Sequence, residues 1–278
     1  MKLNIYRFNK KMAYYTDDKG KEMHSSIDFI IESQMIEYFN NEDKITLCEK
    51  YKELYSDKLV IEEGLFGGYS IYKSTNSSYL SLLRCLFYMC MILSCLLAPR
   101  EITVLGMKQP GGILLFCLSF LFIDTICQSY GYIAARKTLL INACLMFSSG
   151  TLIYLSSLFP AIGNDEEYIN VVFGPMIKLC FINGLCSLIA DQINAFVFKK
   201  IKYITKNKAL WLRSITSTTI SQFFFTILWI SFFKYEKLFN IDTYFFIASN
   251  FEIKVLFSFI TVPILYIMTK QLAMKIKH

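Results

Sequence analysis

PGGILLFCLSFLFIDTICQSYGYIAAR, residues 110–136, places a carboxylate, Asp124, inside an apolar run long enough to cross a bilayer. Burying an acid at membrane depth costs roughly 2.5–3.5 kcal/mol on insertion scales, so an ionisable residue there marks a functional site by default, facing a bundle interior or a wet cavity. The alternative is structural: Asp124 bonds a hydroxyl or amide of a neighbouring helix and fixes packing.

Working outward, the whole chain has the same character. Hydrophobic residues make up 54% of its 278 positions and mean hydropathy is +0.41, above the roughly 45–50% apolar content of soluble domains, so the chain reads as a polytopic membrane protein. The net charge of +7 sits in loops and tails between apolar spans, where lysine and arginine set topology, which speaks against nucleic acid as a partner. Of nine cysteines all but Cys48 lie in apolar stretches, without a Cys-x-x-Cys pair, and the two histidines are His24 and His278. They read as packed thiols, and neither a metal nor a cofactor is implied.

Six apolar segments, about 79–98, 110–133, 138–160, 174–198, 211–233 and 253–270, are each near the roughly 17–25 residues that span a core. The fold class expected is therefore all-α, with a six-helix membrane domain over 79–278 and a small polar N-terminal extension and linker over 1–78. In that extension Ser25-Ser26 caps a helical pattern from Ile27 to Phe39, and Asp43–Tyr55 reads as a second helix. Gly64, Gly67, Gly68 and residues 74–78 read as a flexible link. Arg136, Lys137, Lys199, Lys200, Lys202, Lys206, Lys208, Arg213, Lys270, Lys275 and Lys277 fall on one side, opposite the acidic loop Asn164–Glu167. The positive-inside rule then puts both termini in the cytoplasm. Segment 234–252 reads as a re-entrant or interfacial helix with an aromatic belt, and Pro263 as a kink in the last helix.

No nucleophile elbow, P-loop, histidine cluster or metal-ligand spacing is present, so nothing points to an enzyme. Intramembrane polarity is organised otherwise. Asp124 and Gln128 share a face of the second helix, Asp191 and Asn194 form a patch on the fourth, and Ser214 to Gln222 form a third on the fifth. By rise per residue Asp124 lies roughly 20 Å below the start of its segment and Gln222 roughly 16 Å above the start of the oppositely running fifth, so both sit within the hydrocarbon slab and the three patches are expected to face one cavity. Asp124, Gln128, Asp191, Asn194, Ser217 and Gln222 are thus candidates for binding a planar heterocycle, with Phe116, Phe120, Phe122, Phe223 or Phe224 available to cover its faces. Pro110-Gly111-Gly112 suits a helix start, with glycines that let another backbone approach or expose the helix's positive end.

Pro110-Gly-Gly, the run Leu-Ser-Phe-Leu-Phe-x-Asp124, Tyr130-Gly131 and Ala135-Arg136 resemble the queuosine-precursor transporter family, also described as vitamin-uptake-transporter-like membrane proteins. The blocks Asp191–Lys202, Leu210–Arg213 with Ser217-Thr218 and Ser221-Gln222, and Lys254 through Pro263 agree in order, so the resemblance covers about 79–275. It implies import of a deazaguanine base across the bacterial inner membrane, and a six-helix fold similar to the substrate-binding subunits of energy-coupling-factor importers. The chain departs from the family where glutamate, aspartate or asparagine, and aspartate are usual: here stand Gln128, Asn194 and Phe225, and Cys117 replaces a proline. Losing acids changes recognition of an N–H donor edge or proton coupling.

The partners expected are a small heterocyclic substrate and the lipid bilayer, with a coupling ATPase or a second copy of the chain as protein candidates. Besides a secondary importer, two other functions fit: a substrate-binding membrane subunit of an ATP-driven vitamin importer, and a non-transporting membrane scaffold.

Overall fold

The structure is a computed structural model and describes residues 3–32, 34–55, 59–63, 65, 69–73, 77–159, 173–205, 209–233 and 241–274. Helices dominate it: α1 (Ile27–Glu32), α2 (Asn41–Leu54), α3 (Ser77–Leu97), α4 (Ile113–Ser129), α5 (Tyr132–Ser157), α6 (Gly174–Ile204), α7 (Leu210–Phe233) and α8 (Ile241–Met274). Among the described residues α3, α5, α6 and the stretch Tyr244–Leu272 of α8 are long and apolar enough to cross a membrane, and α4 is a shorter apolar helix. The chain is a polytopic membrane protein.

The N-terminal extension is not all-α. Strands β1 (Asn4–Asn9), β2 (Met12–Thr16) and β3 (Glu22–Ser26) form an antiparallel sheet and β4 (Leu59–Glu63) pairs with β5 (Tyr69–Lys73), while a further hairpin, β6 (Glu101–Val104) with β7 (Met107–Pro110), lies outside the extension, between α3 and α4. Strand alternation decides the first sheet: Ala13 and Tyr15 of β2 point into a core with Ile27, Ile30, Ile36, Leu47 and Tyr51, while Tyr14 faces out beside His24. The serine cap is present, Ser26 Oγ accepting from Phe29 N, but it starts a helix of only six residues, followed by a 3₁₀ turn over Met35–Tyr38. Asn40 caps α2 by accepting from Asp43 N, close to the expected helix.

Nor is the stretch before the membrane helices simply a link. Gly64, Gly67, Gly68 and residues 74–76 lie outside the described residues, but β4 and β5 on either side are docked, and Ser77 and Ser78 already belong to α3. Ser70 Oγ donates to the Tyr130 carbonyl, Tyr72 packs edge-on against Tyr130, and Glu62 accepts from Arg84 at 2.7 Å and pairs with Lys137 at 3.2 Å. The 3₁₀ turn reaches the same place: Gln34 Nε2 donates to Ser129 O, and Glu37 Oε1 accepts from Ile133 N. These contacts meet at the α4–α5 break, where Gly131 has φ +92°; a Cβ there would come within 2.5 Å of Glu37 Oε1 and 2.8 Å of Gln34 Oε1.

That break moves one boundary. The third apolar helix begins at Tyr132 rather than near 138, because Gly131 turns the chain and the helix resumes at once, taking Arg136 and Lys137 into its first two turns. Pro110 ends β7 instead of opening a helix, and Gly111 and Gly112 let the end of α3 approach, a Cβ on Gly111 falling 2.7 Å from Leu97 O. The last helix starts at 241, so 241–252 is part of one helix that runs through Pro263, while 234–240 lies outside the described residues. The acidic loop 164–167 and Lys206, Lys208, Lys275 and Lys277 also lie outside them.

Candidate functional site

Asp124 is 1% exposed and receives donors from two other helices. Asn194 Nδ2 on α6 donates to Oδ1 at 3.1 Å, and Ser214 Oγ on α7 donates to Oδ2 at 2.5 Å. Hydrogen bonds to a carboxylate are short and roughly twice as strong as neutral ones, so both oxygens are held in place. Arg213, buried beside Ser214 with its guanidinium 5.4 Å from the Phe198 ring centre, adds a favourable charge. Ser217, fully buried one turn on from Ser214 along α7, donates its hydroxyl to the Ser214 backbone carbonyl.

Asp191 lies one turn from Asn194, in a π-helical turn over Ser187–Asp191 that interrupts α6. Single π-turns often mark functional sites. Ser187 Oγ donates to Asp191 Oδ2 at 2.5 Å and accepts from Asn142 Nδ2 at 3.4 Å, whereas Asp191 Oδ1 has no partner among the described residues. Gln222 is fully buried, and neither its oxygen nor its nitrogen has a partner among them. A buried polar group left unmet costs about 1–3 kcal/mol, so such groups await a ligand or water.

The six expected site residues therefore do not form a single cluster. Asp124 and Asn194 bond directly, Ser217 lies one turn beyond Ser214, and Asp191 sits one turn from Asn194. Gln222 is eight residues beyond Ser214, about 12 Å along α7. Gln128 lies one turn past Asp124 in the other direction, its backbone carbonyl accepting from Lys202 Nζ at 3.1 Å.

One residue near the Gln222 level was not expected in the site. Lys254 is 6% exposed near the middle of α8; its ammonium lies 4.6 Å from the Phe116 ring centre and 4.7 Å from that of Phe225, with Thr226 Oγ1 at 3.5 Å. Its charge also acts on Asp191. A lysine inside an apolar helix carries the same signal as Asp124, but reading the helix as starting at 253 left Lys254 at its edge. Phe225, where the resemblance implies an aspartate, gives the ammonium a ring face instead of a carboxylate.

Beside Lys254 a cavity of about 40 Å³ is lined by Phe116, Phe225, Ser94, Asn183, Asn250 and Gly112, among others. It holds about one water, against roughly 300–1,000 Å³ for a ligand pocket. Its outer end is fastened by the β6–β7 hairpin: Gln109 donates to Ser249 Oγ at 3.1 Å and accepts from Asn250 at 2.9 Å. Among the described residues no group of three metal-ligating side chains comes together.

A family model described as "Putative vitamin uptake transporter" matches residues 110–268. The chain belongs to this family. The match begins at Pro110 and takes in every side chain of the site, from Asp124 to Lys254, while the N-terminal domain and α3 lie outside it. By that description the family is one of membrane transporters for vitamin-like small molecules. No curated protein and no solved structure matches the chain.

Proposed function

We propose that the protein imports a queuosine precursor, a deazaguanine base, or a related purine-like molecule across the bacterial inner membrane. The observation that carries this reading is the Asp124 carboxylate, fixed by Asn194 and Ser214 inside the bundle. A guanine-like edge presents adjacent N–H donors, which suit a carboxylate, while Phe116 and Phe225, about 12 Å along the bundle at the Lys254 level, suit the faces of a base on its way to or from the acid. Asp191 Oδ1 and the Gln222 amide offer further unmet polar atoms. Asp124, Gln128, Asp191, Asn194, Ser217 and Gln222 are the proposed substrate-binding residues, to which Lys254 is added.

In this reading α3 to α8 are six spans, a count that adds the shorter α4 and the serine-rich α7 to the four long apolar helices, in a fold similar to energy-coupling-factor substrate subunits. Residues 1–78 form a cytoplasmic domain, and both termini are cytoplasmic because Lys199, Lys200 and Lys202 lie at that end of α6. The small cavity has to widen during transport. The test is the queuosine content of transfer RNA in cells that neither make nor import the precursors, supplied with traces of each base. Restoration by this chain supports import of that base; no restoration despite verified insertion rejects the substrate. Uptake that needs ATP and a co-purifying ATPase would favour the subunit of an ATP-driven importer.

A further inference from the structure

A groove of about 620 Å³ runs along the seam between the N-terminal domain and the lysine-bearing end of α6. Lys44 comes from α2, Lys199 and Lys200 from α6, and Glu37 is the acid facing them among the described residues. Lys199 is already engaged, 4.6 Å from the Tyr132 ring centre, 5.7 Å from that of Tyr38, and 4.0 Å from Glu37 Oε2. Lys44 is half-buried; burial pushes its pKa down, Glu37 holds it up in part, and Lys199 across the seam pushes it down further. Three lysines against one carboxylate leave a partly desolvated groove with like charges facing each other over a domain boundary. An anion placed there gains from all three and relieves their repulsion.

The surroundings say which anion fits. On α6, Phe196 is 54% exposed and lies one turn from Lys200, on the side toward the middle of a helix apolar enough to cross a bilayer. A headgroup at the lysines would therefore have its acyl chains beside Phe196, at the level where anionic lipid meets basic juxtamembrane residues. We propose that this groove binds a phosphate-bearing anion, the headgroup of an anionic phospholipid, and that the bound headgroup bridges the N-terminal domain to α6. The site lies outside the transport cavity and does not rest on the choice of substrate.

The test is thermal melting of the full chain in neutral detergent, followed by tryptophan fluorescence, with added phosphatidylglycerol, phosphatidylcholine of the same chain length, or inorganic phosphate. Phosphatidylglycerol is expected to raise the melting temperature by about 2–4 °C and phosphatidylcholine not to. The combined Lys44→Gln, Lys199→Gln, Lys200→Gln protein should lose the shift. Lys44→Gln alone, which removes one side of the repulsion, should melt no lower than the parent without lipid yet respond less to it. Equal shifts from both lipids, or a triple variant that responds like the parent, overturn the site. A full shift from inorganic phosphate alone would keep the anion site and overturn lipid as its source.

Discussion

The Asp124 and Lys254 levels lie on the same bundle of helices and are built on opposite plans. Asp124 is met by neutral donors from α6 and α7, one for each oxygen, so its charge is fixed at one point. Eight residues back along α4, about 12 Å away, Phe116 and Phe225 flank the Lys254 ammonium, which has a hydroxyl at 3.5 Å and feels Asp191 only through the field. Ring faces attract a cation without fixing it as a carboxylate would. The acid is thus the preorganised group and the lysine the adaptable one beside the cavity, which is why the proposed function gives the reading of a substrate edge to Asp124.

The largest effect should follow from Asp124→Asn, which keeps size but removes the charge proposed to read an N–H edge. Uptake by correctly inserted protein should fall by about 10–100-fold, the range for losing a hydrogen bond to a charged group. Ser214→Ala leaves Asp124 charged with one donor fewer, and should lower melting stability and raise the substrate concentration for half-maximal uptake by several-fold.

At the other level, Lys254→Met and Asp191→Asn should each destabilise the protein, while the double variant recovers part of the loss. A double-mutant cycle on thermal or chemical unfolding should give a coupling of about 0.5–3 kcal/mol; additive effects would show that the two charges are independent. Gln222→Ala is the smallest change. It removes a buried amide unmet among the described residues, so stability should hold or rise slightly while uptake falls by a few-fold; unchanged uptake would take Gln222 out of the site.

Helical period put Asp124 with Gln128 and Asp191 with Asn194 on shared faces, but that Asn194 and Ser214 are the groups that meet Asp124 is a matter of helix packing. The depth arithmetic reads as one shared site because both depths fall inside the slab, yet 20 Å from one face of a core of about 30 Å is nearer the opposite face than Gln222 at 16 Å, and the structure keeps the two levels apart. Lys254 was illegible because segment 234–252, with Lys234, Lys237 and Asp242 around an aromatic stretch, reads as an interface, which shortens α8 and moves its lysine to the edge. The N-terminal strands were hidden for a different reason. They are five or six residues long and half-exposed, so each puts only one or two side chains into the core, and the pattern is too short to stand out. The docking of that domain onto Ser129, Tyr130 and Ile133 depends on backbone groups freed at Gly131, which no side-chain pattern records.

The most direct test of the central claim is uptake of a labelled deazaguanine base into ATP-free proteoliposomes containing either the parent chain or Asp124→Asn, matched for insertion and melting temperature. Uptake by the parent and a fall of about 10–100-fold in the variant are expected. Equal uptake by both proteins would contradict the claim, and would leave Asp124 as a packing residue held by Asn194 and Ser214.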